Sequence, residues 1–283
     1  MTAHEIVAKA RNLPRIPTVA LKLVELLDEF KDNHHEAVGL IKSDGLLTAK
    51  LLRVCNSSAL GLEERVASVD HAVLLLGYNQ VLSFVMSLSF GGAMTGALPC
   101  YAIEVYGLWR HAFMTATAAE TAVTRGLSDD KDASVAFTAG LLHDFGKLVM
   151  TEALTDEARS AIRHHMSGEG LGSIEAEREV LGTDHAEVGS CLLLTWRLPD
   201  WIVEAVANHH RPIFEPTPQL SAIVHVANRI AHLADERPGS ETYAFRGDER
   251  VVQIFELDAK EQSELVGAAR KSADRAMELL AIV

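Results

Sequence analysis

Cysteine is scarce in this chain: only three of 283 residues. Cys55, Cys100 and Cys191 stand isolated with no CxxC pair, which excludes a disulfide framework. No basic-then-apolar leader precedes Leu13, so the expected location is cytoplasmic. Basic residues are also in short supply, because 26 Lys and Arg against 39 Asp and Glu leave a formal net charge of -13. That balance opposes sequence-blind attraction to nucleic acid, with Lys9, Arg11 and Arg15 as a local exception. The apolar run Val81–Met94 is interrupted by Ser83, Ser87, Ser89, Gly91 and Gly92 and is too short to cross a bilayer, so no membrane span is expected. Strand-type alternation is missing apart from a weak candidate at Val251–Phe255. Several catalytic signatures are absent as well. The stretch GLLHDFGKL has five residues between Gly140 and Gly146 where a P-loop has four, and Leu148 replaces the hydroxyl residue that would hold magnesium. There is no GxSxG elbow, and no base adjoins any cysteine in sequence, so nucleophilic catalysis is unsupported.

What remains is helical. With 48% hydrophobic residues the chain can bury a sizeable core without covalent staples, as one large domain or two moderate ones. Spacings of three and four predict an amphipathic helix over Thr18–Phe30, with Pro14 and Pro17 at its entry. Short helices follow at Ala37–Ile41 and Leu46–Val54, joined at Ser43-Asp44-Gly45. Ser68 is placed to cap Val69–Leu76, which closes at Gly77 before Tyr78–Phe90. Further helices are predicted at Glu104–Thr124 (alanine-rich, open to close approach), Ser134–Met150 (apolar all round) and residues 155–166. A glycine-rich loop at 167–173 precedes helices at 184–197, with an Asp184/Glu187 capping box, and at Trp201–His210. Ser221–Ala234 and a closing helix, Ala259–Leu280, complete the reading. The fold class is therefore all-α, an N-terminal helical bundle over residues 1–98 packed on a helical domain at 99–236, with a C-terminal extension at 237–283. One side of the last helix, with Leu265, Val266, Ala269, Ala273, Met277 and Leu280, covers the core or forms a homodimer interface.

Asp144 poses the chemical question. A carboxylate inside the apolar Ser134–Met150 helix needs a cation or several hydrogen bonds, and its candidate partners are a metal and Lys147, three residues on. Adjacent helical residues point about 100° apart, so His143 and Asp144 share a metal only over the seam between them. The other nitrogens on offer are His111, His185, His209 and His210. Imidazoles with a carboxylate suit iron, manganese, zinc or nickel. The plainer alternative is a local ion pair with Lys147, with His111 or His225 donating to a backbone carbonyl and His209-His210 solvated at a helix end.

The segments LPRIPTVALKLVELL, LIKSDGLLTAKLLRVCNSSALG, SVDHAVLLLGYNQVLSFVMSLS, LWRHAFMTATAA and AFTAGLLHDFGKLVM occur in this order, and from Leu13 to about His232 the chain resembles the bacterial HDOD family. The resemblance implies an all-helical regulatory relative of the HD and HD-GYP phosphohydrolases that has lost much of the metal site. In the parent HD pattern a histidine, an HD pair and a later aspartate bind one metal. The positions matching it are His111, His143, Asp144 and Asn228, the last a neutral amide in HVANRIAHL where an acid would stand. The HD-GYP comparison adds His185 in GTDHAEVGSCLL and His209-His210 in EAVANHHRP as ligands, with Lys147 matching a phosphate-facing lysine. The GYP segment itself is missing, since Arg211-Pro212-Ile213-Phe214 follow His210.

Three functions are compatible with this reading. The first is a non-catalytic signalling module that binds a protein partner in trans or a signal ligand. The second is a metal-dependent phosphohydrolase acting on a nucleotide or cyclic dinucleotide, with Asp144 and the histidines as ligands and Lys147 or Arg211 on phosphate. The third is a metal- or redox-responsive switch in which occupancy of one or two metal positions moves the N-terminal bundle.

Overall fold

The structure is a computed structural model and describes residues 1–13, 16–26, 34–58, 60–126, 133–168, 170–212, 220–235, 255 and 257–282. Among these residues every regular element is a helix, apart from one isolated bridge between Leu98 and Ile103. The strand candidate at 251–255 lies outside the described residues except for Phe255, which sits in a turn.

Helices α1 (Ala3–Lys9), α2 (Thr18–Leu26), α3 (His34–Ser43), α4 (Gly45–Cys55), α5 (Val69–Leu76) and α6 (Tyr78–Phe90) form the first half. Local chemistry sets their ends. The Asp44 carboxylate accepts from the N–H groups of Leu46 and Leu47, which starts α4 at the expected joint, and Ser68 Oγ accepts from His71 N to start α5. Each such cap is worth about 1 kcal/mol. Asn56 bridges two backbone segments, donating to Leu52 O and Val66 O while accepting from Val66 N. Helices α2–α6 pack on one another, and α6, buried from Val81 to Phe90, also seats against the second half.

That half contains α7 (Gly107–Thr124), α8 (Ala133–Leu142), α9 (Phe145–Ala153), α10 (Asp156–Gly168), α11 (Ser173–Leu181), α12 (His185–Thr195), α13 (Asp200–Asn208) and α14 (Leu220–Asp235). Helix α8 is its centre, with α6, α7, α13 and α14 around it. The last helix, α15 (Ala259–Ile282), covers α7 and α14 and buries Leu265 and Ala269, the core-covering alternative among these residues. Met277 is exposed, and the side chain of Leu280 is outside the described set. Helix α1 packs on α9 and α12 rather than on its sequence neighbours, anchored by the Met1 ammonium donating to Leu181 O at 2.7 Å.

Three expectations need correction. The helix predicted over Ser134–Met150 is two helices, because α8 ends at Leu142 and α9 begins at Phe145. Asp144 has φ -99° and ψ 10° between them, and His143 Nδ1 bonds the Gly140 carbonyl at 2.7 Å, a side-chain contact at the end of α8. The glycine-rich stretch is shorter than expected, since Ser173–Leu181 is helical. Of the expected capping box only one arm forms: Asp184 accepts from Glu187 N, while the Glu187 carboxylate accepts from Thr183 Oγ1.

Close helix contacts position the site. A Cβ on Gly140 would lie 2.8 Å from the Ala116 backbone, so α7 and α8 cross at van der Waals contact and bring His111 beside His143. At the α9–α12 crossing a Cβ on Gly146 would lie 1.9 Å from His185 O. That approach carries Asp144 to the start of α12.

Candidate metal centre

Asp144 is buried at the meeting point of α7, α8, α12 and the end of α13, and both of its oxygens face nitrogens. Oδ2 accepts from Lys147 Nζ at 2.7 Å, with His143 Nε2 at 3.4 Å and His111 Nε2 at 3.7 Å. Oδ1 faces His185 Nε2 at 3.2 Å and His209 Nε2 at 3.8 Å. His210 Nε2 is 3.0 Å from His185 Nε2. Two groups result, each with ligand atoms within 4.8 Å of one another: His111, His143 and Asp144 on one side, and Asp144, His185, His209 and His210 on the other. The carboxylate belongs to both.

The ring tautomers follow from the outer hydrogen bonds. A carbonyl only accepts, so Nδ1 carries the proton where His143 bonds Gly140 O and where His209 bonds Val206 O, both at 2.7 Å. When these imidazoles are neutral, their Nε2 atoms present lone pairs toward Asp144. His111 Nε2, His143 Nε2, His209 Nε2 and Asp144 Oδ1 are buried without a hydrogen-bond partner. Buried polar atoms left in this state are costly, and several converging on one carboxylate fit a cation. The ion pair expected with Lys147 is present, yet it engages Oδ2 and satisfies none of these four atoms.

Electrostatics agree with the division of the site. Burial opposes ionisation of Asp144, but Lys147 and then His143 hold its carboxyl well below the usual carboxylate range. Burial, followed by neighbouring histidines, pushes His111, His209 and His210 well below the ordinary imidazole value. His185 is different. Burial disfavours its charged form, but the Glu177 carboxylate outweighs burial and raises it to about 9. Glu177 at Nδ1 thus favours the charged form of the ring whose Nε2 faces Oδ1, while Lys147 Nζ faces Oδ2.

Glu177 is a site residue that the sequence reading missed. It is fully buried on α11, accepts from His185 Nδ1 at 2.8 Å and from His185 N at 2.7 Å, and so fixes the ring that faces Asp144. The available signal was an acid at an inward position, since Ile174, Glu177 and Leu181 follow helical spacing. Glu177→Gln is expected to weaken metal binding by roughly 10- to 100-fold in chelator competition, with the melting temperature as a fold control. An unchanged affinity would make Glu177 a packing residue only.

Other expected positions separate clearly. His209 is buried, not solvated at a helix end, whereas His225 Nδ1 donates to the His209 carbonyl and is structural. Asn228 is buried on α14 with Oδ1 unpartnered, three residues along the helix from His225. Arg211 is exposed beyond His210. His232 was also missed. Its ring is 4.6 Å from the His111 ring, and burial, then Lys147, lowers its pKa to about 4.

Comparison with known proteins places this arrangement. A protein of 25% identity from Treponema pallidum (strain Nichols), itself uncharacterized, aligns over 248 residues, 83% of this chain and 45% of its own length. The chain thus spans less than half the length of that curated relative. Among solved structures, an HDOD domain protein of unknown function from Geobacter sulfurreducens superposes with a TM-score of 0.73 at 21% identity, covering 98% of this chain and 96% of that one. A protein provisionally described as a phosphohydrolase from Shewanella amazonensis SB2B gives 0.69 at 22%, covering 96% and 98%. One provisionally described as a signal transduction protein from Marinobacter aquaeolei VT8 gives 0.77 at 20%, covering 99% of this chain and 64% of that one. At these identities the likeness speaks for the fold. The HDOD domain model matches residues 13–212, through the bundle and the HD pair to the His209-His210 end of α13, and the chain belongs to the HDOD domain family.

Proposed function

We propose that this protein is a metal-binding HDOD regulatory module, whose cavity holds one or two divalent transition ions and whose occupancy is read by a signalling protein acting in trans. The supporting observation is the set of buried Nε2 atoms of His111, His143 and His209, left without partners around one shared carboxylate. His111, His143 and Asp144 hold one position, and Asp144, His185, His209 and His210 hold the other. A divalent ion supplies Lewis acidity there, and the donor set suits iron, zinc or nickel and admits manganese. The test is metal content by plasma mass spectrometry on protein purified without chelator. One or two ions per chain is the expected result, and substoichiometric metal equal to that of Asp144→Ala would sink the proposal.

The switch reading gains support from Tyr101. This buried residue lies in a short turn of 3-10 helix, Pro99–Tyr101, on the linker between the two halves. Its hydroxyl donates to Met150 Sδ at 3.6 Å, and Lys147 Nζ stands 5.8 Å from its ring centroid. The linker thus touches the residue that neutralises Asp144. Ala102 and Tyr106 in the same linker have positive φ without being glycine, a sign of local strain. Metal removal is accordingly expected to increase limited proteolysis within residues 91–106. Identical digestion with and without metal would count against the switch.

Phosphohydrolase activity on a nucleotide or cyclic dinucleotide is the second reading, favoured by the same six donors. Two features weigh on it. Lys147 is engaged with Asp144 rather than aimed outward, and Asn228 lacks the charge of an acid ligand.

A further inference from the structure

We infer that His232 is an additional metal ligand, belonging to the His111, His143 and Asp144 position and standing in for the charged donor that Asn228 does not provide. The inference rests on the metal-binding reading above. On α14, residues 225, 228 and 232 follow helical spacing and share one face. At one end of that face His225 bonds the backbone of His209, and at the other the His232 ring packs on the His111 ring at 4.6 Å and 47°. Asn228 lies between them, buried and with its amide oxygen unpartnered. The seam is also pinned beside the histidines, because Arg110, next to His111, pairs with Asp235, three residues after His232.

His232 stands outside both tight ligand groups, but unlike His143 and His209 it is partly exposed. A change of rotamer is the step by which its ring nitrogen passes from the His111 ring into the His111, His143 and Asp144 group. The chemistry of the site changes with it. With an amide at 228, Asp144 is the sole carboxylate in the two groups, and an added imidazole makes the donor set richer in nitrogen. Such a site favours zinc, nickel or ferrous iron over manganese and magnesium, which prefer oxygen donors. His232 thus sets metal preference as well as affinity.

The test uses full-length chain stripped of metal, as wild type, Asp144→Ala, His232→Gln and the double variant Asn228→Asp/His232→Gln. Zn2+ and Mn2+ affinities are read by chelator competition, and imidazole ligands by the absorption spectrum of the Co2+ form. His232→Gln is expected to weaken Zn2+ binding by roughly 10-fold or more at one position, with an altered cobalt spectrum. The double variant is expected to recover binding with its preference shifted toward Mn2+, a rescue that a folding defect would not allow. If wild type binds Zn2+ better than Asp144→Ala and His232→Gln matches wild type in affinity and spectrum, the ligand assignment is overturned while the metal site stands. If wild type binds no better than Asp144→Ala, both fall.

Discussion

Gly146→Ala is expected to lower the melting temperature by roughly 10 °C, the equivalent of about 3 kcal/mol for a domain of this size. The added methyl carbon would lie 1.9 Å from His185 O and 2.8 Å from Gly189 N, both backbone atoms that cannot rotate away. Relief requires α9 and α12 to separate, which draws Asp144 away from His185 and His209. Metal content is therefore expected to fall along with stability. Gly92→Ala is the matched control, because nothing lies within 4 Å of a Cβ there, and its effect should stay within about 0.5 kcal/mol. Equal melting curves for the two variants would show that the α9–α12 crossing is looser than its geometry indicates.

Asp144→Ala is expected to abolish metal retention, with affinity reduced by at least about 100-fold, since the carboxylate is common to both ligand groups. Its effect without metal is a separate matter. Lys147, 8% exposed and paired at 2.7 Å, would lose its counter-ion, which costs about 3–5 kcal/mol for a buried pair broken on one side. The double variant Asp144→Ala/Lys147→Met removes both charges and should recover much of that loss. Chelation separates the two contributions in the wild type. A metal held at a thousand times its dissociation constant adds about 4 kcal/mol, so stripping it should lower the melting temperature clearly. If chelation changes nothing while Asp144→Ala still destabilises, Lys147 is the sole partner of the carboxylate.

The helices were legible where side-chain spacing and caps set them locally. Asp44, Ser68 and Asp184 each stand at the helix start expected of them. The break between α8 and α9 was not legible, because no proline marks it and its apolar residues continue through both helices. It is made by tertiary packing, with Gly146 against α12 and His143 turned back to Gly140. Helix α1 escaped notice for a similar reason: its seven residues bury only Ile6, and its partners α9 and α12 lie far along the chain. The five histidines around Asp144 were on offer from the sequence, and family resemblance joined them into one set. Spacing could not show that His111 and His185, from separate helices, meet at one carboxylate. Glu177 and His232 needed the fold, since each is recognised by the histidine it touches.

The docking of α1 bears on how this chain folds. The Met1 ammonium meets Leu181, 180 residues away in sequence, and Asn12 donates to Glu152 across a separation of 140. Helix α1 therefore has no surface to settle on until α9, α11 and α12 have formed. Such long-range closure raises contact order and slows the final step. The α2–α6 bundle can form while α1 waits in solvent, so α1 is among the last elements to join.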